Sequence, residues 1–243
     1  MDAVDDVKLR SRVQSMLELQ DDINSKIRPD WRDANNSWFR AIWTECAEMV
    51  DHIGWKWWKH QSPDIPQVHL ELVDIFHFGL SELLQQHGTA DAAMSHLLDA
   101  YAAYGKRSGA SVEDSATCIA LVERFATSVL TTRRFDLARF CEVASAVGLD
   151  EQTLYEMYVG KNVLNSFRQD HGYKAGTYIK TWDGPGRPIA SHLSTIHRNR
   201  VSTIVSRFSG LAGACATRHR RSHGPRCSAS ACAAGVVTRA PGW

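Results

Sequence analysis

Residues 41–50 read AIWTECAEMV, and residues 68–78 read VHLELVDIFHF. In both stretches the apolar side chains recur every three or four positions, which is the period of an α-helix. Gly54 and Gly88 follow the two stretches at positions where helices commonly end. The two segments therefore predict a pair of strongly apolar helices.

Each of these helices carries two acids three residues apart, Glu45 and Glu48 in the first and Glu71 and Asp74 in the second. Acids at this spacing share one helix face, with Cβ atoms about 5–6 Å apart. Such pairs are costly in an apolar helix, because like charges repel and burial disfavours ionisation. If the two helices face each other, four carboxylates meet, and hard oxygen ligands of this kind select Mg²⁺ or Mn²⁺.

The alternative is that these acids face solvent, since Glu-x-x-Glu pairs are common on helix surfaces. The helices, however, offer little polar face for solvent. Lysine and arginine are also missing four residues after each acid, where the chain has Met49, His52, Ile75 and Phe78. The residues by themselves leave both interpretations open.

The helical period continues on both sides of this pair, almost throughout residues 1–184. Strand signals are confined to one short candidate at 176–179. The predicted fold class is therefore all-α, a compact bundle of several helices. We expect Ser37 to cap the second helix, and Ser111 with Asp114 to form a capping box for the fifth. The predicted helices span 8–27, 37–53, 67–87, 90–105, 111–130, 134–147 and 151–170.

The loop between the two acid-bearing helices, residues 54–59, reads GWKWWK. Its tryptophans offer a face on which a base can stack, and lysines such as Lys56 can approach phosphates. The alternative is an aromatic cluster that seals the core, and we expect at least one of these tryptophans to do so. Single-stranded nucleic acid uses the same chemistry, but binding a polyanion requires a basic surface.

Two further patches suit a nucleotide. Gln20 and Asn24 are four residues apart on the first helix, and an amide matches the donor and acceptor pattern of the uracil imide edge. Lys161, Asn165 and Arg168 line one face of the last helix, and cations with amides suit phosphate oxygens. The alternatives are exposed polar residues in the first case and a solvated helix end in the second.

Taken together, these residues resemble the dimeric all-α dUTPases (dUTP diphosphatases) of the all-α NTP pyrophosphatase superfamily. The resemblance covers about residues 8–184. The two acid pairs alone would mark only the superfamily, which includes MazG-like enzymes. The segments that make the resemblance specific are LELQDDIN at 17–24, GWKWW at 54–58, KNVLNSFR at 161–168 and GYKAGTY at 172–178.

The resemblance implies a function and a set of roles. It implies Mg²⁺-dependent hydrolysis of dUTP, and of dUDP, to dUMP by attack of a metal-activated water at the α-phosphorus, with release of pyrophosphate or phosphate. Glu45, Glu48, Glu71 and Asp74 would hold Mg²⁺, with Mn²⁺ as a substitute, and Glu48 would also orient or deprotonate the water. Gln20, Asn24 and Trp57 would bind uracil. The phosphate-binding set would be Lys56, Lys161, Asn165, Arg168, Tyr173, Lys174 and Lys180. Members of the family are homodimers.

The charge is distributed unevenly along the 243 residues. The formal net charge is only +1, yet residues 185–243 contain nine arginines and no lysine, aspartate or glutamate. Residues 1–184 hold all 27 acids and 19 of the 28 basic residues, a net charge of −8. This acidity argues against a polyanion as the main partner and favours a small nucleotide accompanied by Mg²⁺.

The charge boundary coincides with a departure from the family pattern. Relatives continue after this point with an acidic, Asn-containing stretch, whereas here PGRP follows at 185–188. We therefore predict an all-α dUTPase-like domain at 1–184 and a poorly ordered basic tail at 185–243. A reading-frame change after Gly184 is our hypothesis for the tail, and nucleic-acid binding by its arginines is the less favoured alternative.

Two alternative functions remain open at this point. One is a MazG-like hydrolase of another nucleoside triphosphate, and the other is a catalytically impaired nucleotide-binding regulator on the same fold. No stretch approaches 18 consecutive apolar residues, and the acidic N-terminus lacks the apolar region of a secretory signal. We therefore expect a cytoplasmic protein without a membrane partner.

Overall fold

The computed structural model describes residues 3–105 and 112–178, which form seven α-helices. The predicted all-α fold is confirmed in this part of the chain. Residues 176–178 form a turn and irregular backbone, so the strand predicted at 176–179 is wrong for its described residues. The helices are α1 Ala3–Ile27, α2 Trp38–Ile53, α3 Ile65–His87, α4 Ala90–Gly105, α5 Ser115–Thr132, α6 Leu137–Ala146 and α7 Glu151–Asp170.

Aspartate caps correct two predicted helix starts. Asp114 is itself the N-cap of α5, and its carboxylate accepts hydrogen bonds from Ala116 N and Thr117 N at 3.0 Å. Helix α5 therefore begins at residue 115 instead of 111. Asp136 caps α6 in the same way, so that helix begins at residue 137 instead of 134. Ser37 occupies the N-cap position of α2, as predicted, but its side chain makes no capping hydrogen bond.

Helix α3 is the centre of the bundle, because it contacts α1, α2, α4, α6 and α7. Leu72, Phe76 and Leu80 of α3 are completely buried. The Phe76 ring stacks on Phe140 at 5.1 Å and on Tyr101 at 5.9 Å between ring centroids. A helix enclosed on several sides has little solvent-facing surface, which explains why its polar residues meet other side chains rather than water.

Gly79 lets the α5–α6 turn approach α3 closely. A Cβ atom at this position would lie 2.7 Å from the ring of Phe135, well inside van der Waals contact. Phe135 in turn packs against Phe140 and Phe125. The absence of a side chain at position 79 is therefore a packing requirement.

The tryptophans of the α2–α3 loop do not seal the core. Trp55, Trp57 and Trp58 are 42%, 85% and 59% exposed, so the expectation that at least one of them is a core residue is wrong. They contact one another edge to face, with centroids 4.6 to 6.2 Å apart.

Among the described residues, no helix is both long enough and apolar enough to cross a membrane. The predicted domain boundary after residue 184 and the tail at 185–243 lie outside the described residues. Both stay predictions.

Candidate functional site

Three of the four predicted carboxylates meet between α2 and α3, which form the most extensive helix–helix contact in the described part of the chain. Glu45 projects from α2, and Glu71 and Asp74 project from α3. One carboxylate oxygen of each residue lies within 4.8 Å of the other two, and all three side chains are half-buried. Two packed helices thus present a compact set of hard oxygen ligands.

Glu48 lies at the edge of this cluster. It is exposed on the helical turn after Glu45 and does not belong to the group of three oxygens. Its charge still contributes to raising the pKa of both Glu45 and Glu71, so it lies within electrostatic range. The structure therefore places one acid of the predicted quartet next to solvent rather than against the other three.

The cluster resists ionisation. Burial, together with the charges of Asp74, Glu48 and Glu71, raises the pKa of Glu45 to about 8. Burial also raises the pKa of Glu71, with the charges of Asp74 and Glu48 acting in the same direction and that of Lys161 opposing them. A bound divalent cation reverses this situation by favouring the ionised carboxylates. The oxygen donors and their electrostatics therefore fit a hard divalent metal.

Two basic side chains reach the cluster, Lys161 from α7 and His52 from α2. The Lys161 ammonium group, carried by α7, donates a 2.8 Å hydrogen bond to Asp74 Oδ2. His52 Nε2 lies 3.4 Å from Glu71 Oε1. Sequence reasoning assigned Lys161 to the phosphates and gave His52 no role. Both pairings depend on how the helices pack against one another. The spacing of residues within one helix does not reveal this packing.

Beside the carboxylates, α1, α3 and α7 share a buried polar network. Gln20 and Asn24 are only 4% and 8% exposed. The Gln20 amide nitrogen donates to Asn24 Oδ1 at 3.0 Å and to Ser81 Oγ at 2.9 Å, and Asn24 also donates to Ser81 Oγ at 2.9 Å. The Gln20 carbonyl accepts from the Tyr158 hydroxyl at 2.6 Å and meets His77 Nδ1 at 2.7 Å. Both ends of the Gln20 amide are therefore engaged within the protein.

This network fixes the tautomer of His77. Because Gln20 Oε1 is an acceptor, Nδ1 of His77 carries the hydrogen and Nε2 presents a lone pair. Burial, together with the charge of Lys161, lowers the pKa of His77 to about 3, so the ring is neutral. His77 Nε2 is buried, and no hydrogen-bond partner for it exists among the described residues. An acceptor atom is thus available beside the amide network.

Sequence reasoning missed His77, Ser81 and Tyr158. A signal for the first two was present, since they follow Asp74 by three and seven residues and so share its face of α3. Tyr158 precedes Lys161 by three residues on α7 in the same way. The network and the carboxylate cluster consequently form one seam along α3 and α7.

The structure does not bring Trp57 or Lys56 to this seam. The ring contacts of Trp57 in the described residues are with its neighbours Trp55 and Trp58. The Lys56 ammonium group pairs with Asp51 at the end of α2. Both residues stay predictions for base and phosphate binding.

The other predicted phosphate ligands lie along the second half of α7 and just beyond it. Asn165 Oδ1 accepts from Arg168 at 3.4 Å, and both residues are half-buried. Tyr173 is exposed, and Lys174 Nζ donates to the Ile27 carbonyl at 3.2 Å, which ties this turn to the end of α1. Lys180 lies outside the described residues.

A comparison with known protein families identifies the family of the chain. A dUTPase family model matches residues 12–173, which include α2, α3 and α7 with all three carboxylates of the cluster. No curated protein matches the chain. The family match spans well over half of the 243 residues. The chain therefore belongs to the dimeric all-α dUTPase family.

Proposed function

We propose that this dUTP diphosphatase is a Mg²⁺-dependent enzyme that hydrolyses both dUTP and dUDP to dUMP. The observation that carries this proposal is the meeting of Glu45, Glu71 and Asp74 oxygens within 4.8 Å. Family membership supports dUTP as the substrate. The choice of Mg²⁺ follows from the all-oxygen donor set, which suits Mg²⁺ with Mn²⁺ as a substitute.

In this proposal Glu45, Glu71 and Asp74 hold the cations, and Glu48 joins them from the solvent side of α2. When bound, the metal neutralises charge on the substrate phosphates and lowers the pKa of a water molecule. The three carboxylates are half-buried, while Glu48 is exposed, so its oxygens are accessible to water. We propose that Glu48 orients the attacking water towards the α-phosphorus and accepts its proton.

Lys161 has a second role in the proposal. Its ammonium group occupies the cluster by pairing with Asp74. Substrate phosphates entering the seam offer Lys161 a partner of higher charge, so we propose that it leaves Asp74 for a phosphate oxygen. Asn165 and Arg168 continue the same face of α7 and extend the phosphate contacts. Tyr173, Lys174 and Lys180 are proposed phosphate contacts on the strength of the family resemblance.

The buried amide network supports uracil recognition. Asn24 uses one amide hydrogen on Ser81, which leaves its second hydrogen for a base carbonyl. His77 Nε2 is a free acceptor for the imide N–H of uracil. Both ends of the Gln20 amide are hydrogen-bonded within the protein. We therefore propose that Gln20 contributes to uracil recognition chiefly by orienting Asn24 and His77. Trp57 is proposed to pack on the base.

The test is release of pyrophosphate from dUTP with the full chain. We expect turnover with Mg²⁺ or Mn²⁺, a phosphate product from dUDP, and much slower turnover of dCTP and dTTP. Glu48→Gln is expected to lower kcat by about 10²- to 10⁴-fold, the usual contribution of general base catalysis. Glu142→Gln, an exposed acid on α6, serves as the control and retains activity.

Activity that survives EDTA would contradict the metal requirement. Preference for another nucleotide would favour a MazG-like hydrolase, and nucleotide binding without turnover would favour a regulator. We also propose a cytoplasmic homodimer, because the family consists of dimeric enzymes.

A further inference from the structure

A separate cavity of about 420 Å³ lies beyond the carboxylate cluster, near the C-terminal end of α3. Its walls come from the α1–α2 connection, the start of α2, the end of α3 and the α5–α6 turn. Glu82, in its α3 wall, follows Asp74 by eight residues, or about 12 Å along the helix axis. The residues that decide its chemistry are Arg32, Ser37, Phe39, Glu82, Arg133 and Arg134.

Arg133 brings an uncompensated charge to this cavity. It is the C-cap of α5 and adopts a left-handed backbone with φ of 56°, a conformation that favours glycine. Its guanidinium lies 5.7 Å from the centroid of the Phe39 ring. Within the described residues no carboxylate lies at ion-pair distance from it. The large cationic side chain of Arg133 therefore occupies a C-cap position with a left-handed backbone, where glycine is the usual residue.

Arg32 and Arg134 add two more guanidinium groups with spare donors. Arg32 pairs with Asp21 at 2.7 Å, but its Nε is buried and has no hydrogen-bond partner among the described residues. Arg134 is 62% exposed and only loosely paired with Glu82, at 3.4 Å. Both side chains therefore keep donors for another acceptor.

Glu82 offsets only one of these three positive charges. Its carboxylate accepts from Phe135 N of the α5–α6 turn at 2.7 Å and from Gln86 on α3 at 2.7 Å, so both of its oxygens are engaged within the protein. Three arginines against one glutamate give the lining a formal net charge of +2. Asp21, outside the lining, pairs with Arg32, so Arg133 is the guanidinium without an ion-pair partner in the described part of the chain. This patch contrasts with the net −8 of residues 1–184.

The start of α2 adds a further attraction for anions. The Ser37 side chain makes no capping hydrogen bond, and the first turn of α2 contains no acidic residue. The positive end of the helix dipole therefore meets the cavity without a negative partner from its own chain segment.

We propose that this cavity is a second site, which binds a compact phosphate-bearing anion such as inorganic phosphate or pyrophosphate. Arginine forks donate pairs of hydrogen bonds to phosphate oxygens, and a helix N-terminus complements their charge. The cavity volume accommodates a small anion with its water molecules. It lies at the lower end of the volume range of ligand-binding pockets. The proposal does not depend on dUTP hydrolysis, because none of these residues belongs to the carboxylate cluster or the amide network.

The test is calorimetric titration of pyrophosphate into the full chain in EDTA, which removes metal-assisted binding at the carboxylates. Arg133→Gln is expected to weaken pyrophosphate binding about tenfold, the usual effect of losing a charged pair of hydrogen bonds. Arg124→Gln, an exposed arginine of α5 outside the cavity, and Lys161→Gln are expected to bind within twofold of the wild type. Arg133→Gln should keep wild-type dUTP turnover, which also shows that it folds.

Three results would overturn the proposal. The first is absence of pyrophosphate binding to the metal-free wild type, and the second is equal binding by Arg133→Gln. The third is loss of binding in Lys161→Gln, which would assign the anion to the catalytic seam. A single-stranded oligonucleotide is titrated in parallel. Binding of the oligonucleotide through Arg133 without binding of pyrophosphate would likewise reject a small-anion site.

Discussion

Metal binding at the carboxylate cluster is expected to release a proton at neutral pH. Burial and the charges of the neighbouring acids hold the pKa of Glu45 at about 8, so at pH 7 this side chain is largely protonated in the metal-free protein. A cation binds the ionised carboxylate, so the proton must leave when the metal enters. For a group with this pKa, the expected release is about 0.9 proton per cation at pH 7.

The sign of the pH dependence follows from the same shift. The folded pKa lies above the ordinary value of a glutamate, so raising the pH removes a proton that competes with the metal. Affinity is therefore expected to rise about 50-fold between pH 6 and pH 8 and less than about twofold from pH 8 to pH 9. Because Glu45 and Glu71 interact, the proton belongs to the cluster rather than to one residue.

Calorimetric titration of Mg²⁺ in buffers of different ionisation enthalpy measures this proton directly. Glu45→Gln is expected to bind metal more weakly and to lose most of the pH dependence, while the exposed control Glu142→Gln keeps the wild-type profile. An unchanged profile in Glu45→Gln would refute the assignment of the metal to this cluster, and release near zero at pH 7 would contradict the raised pKa of Glu45.

Three further predictions concern the base site and the fold. Tyr158→Phe removes a 2.6 Å hydrogen bond to Gln20 and is expected to reduce the discrimination between dUTP and dCTP about tenfold in kcat/KM, whereas Tyr155→Phe leaves it unchanged. Gly79→Ala places a Cβ 2.7 Å from the Phe135 ring and is expected to destabilise the fold by about 1–3 kcal/mol in denaturant unfolding; an unchanged midpoint would contradict this packing. Asp150→Ala removes the cap of α7, which accepts from Thr153 N at 2.7 Å, and is expected to cost about 1 kcal/mol in the same assay, with Asp150→Asn close to the wild type.

Local spacing was sufficient to predict the helices and to single out the acids that form the carboxylate cluster. Acids three residues apart must share a helix face, so Glu45, Glu71 and Asp74 were expected to meet if the two apolar helices face each other, as they do. The same spacing places Glu48 some 60° around the helix from Glu45. Which member of such a pair faces the partner helix depends on packing, and this is why Glu48 was expected in the cluster and lies at its edge.

Tertiary pairing explains the remaining differences. Lysine was missing from the i+4 positions of α2 and α3, yet α7 delivers Lys161 to Asp74 from 87 residues away. The engagement of Gln20 by Tyr158 and His77 likewise requires three helices to meet. Periodicity within one segment contains no information on such contacts. The start of α5 was misplaced for a simpler reason, since Asp114 caps the helix itself instead of serving as the fourth residue of a capping box.

The most direct test of the catalytic proposal is hydrolysis of dUTP by the full chain in H₂¹⁸O with Mg²⁺, followed by mass analysis of both products. Water attack at the α-phosphorus places the label in dUMP and leaves pyrophosphate unlabelled, and this is the predicted result. Label in pyrophosphate or in inorganic phosphate would contradict the proposed site of attack, and labelling that continues in EDTA would contradict the role of the carboxylate cluster.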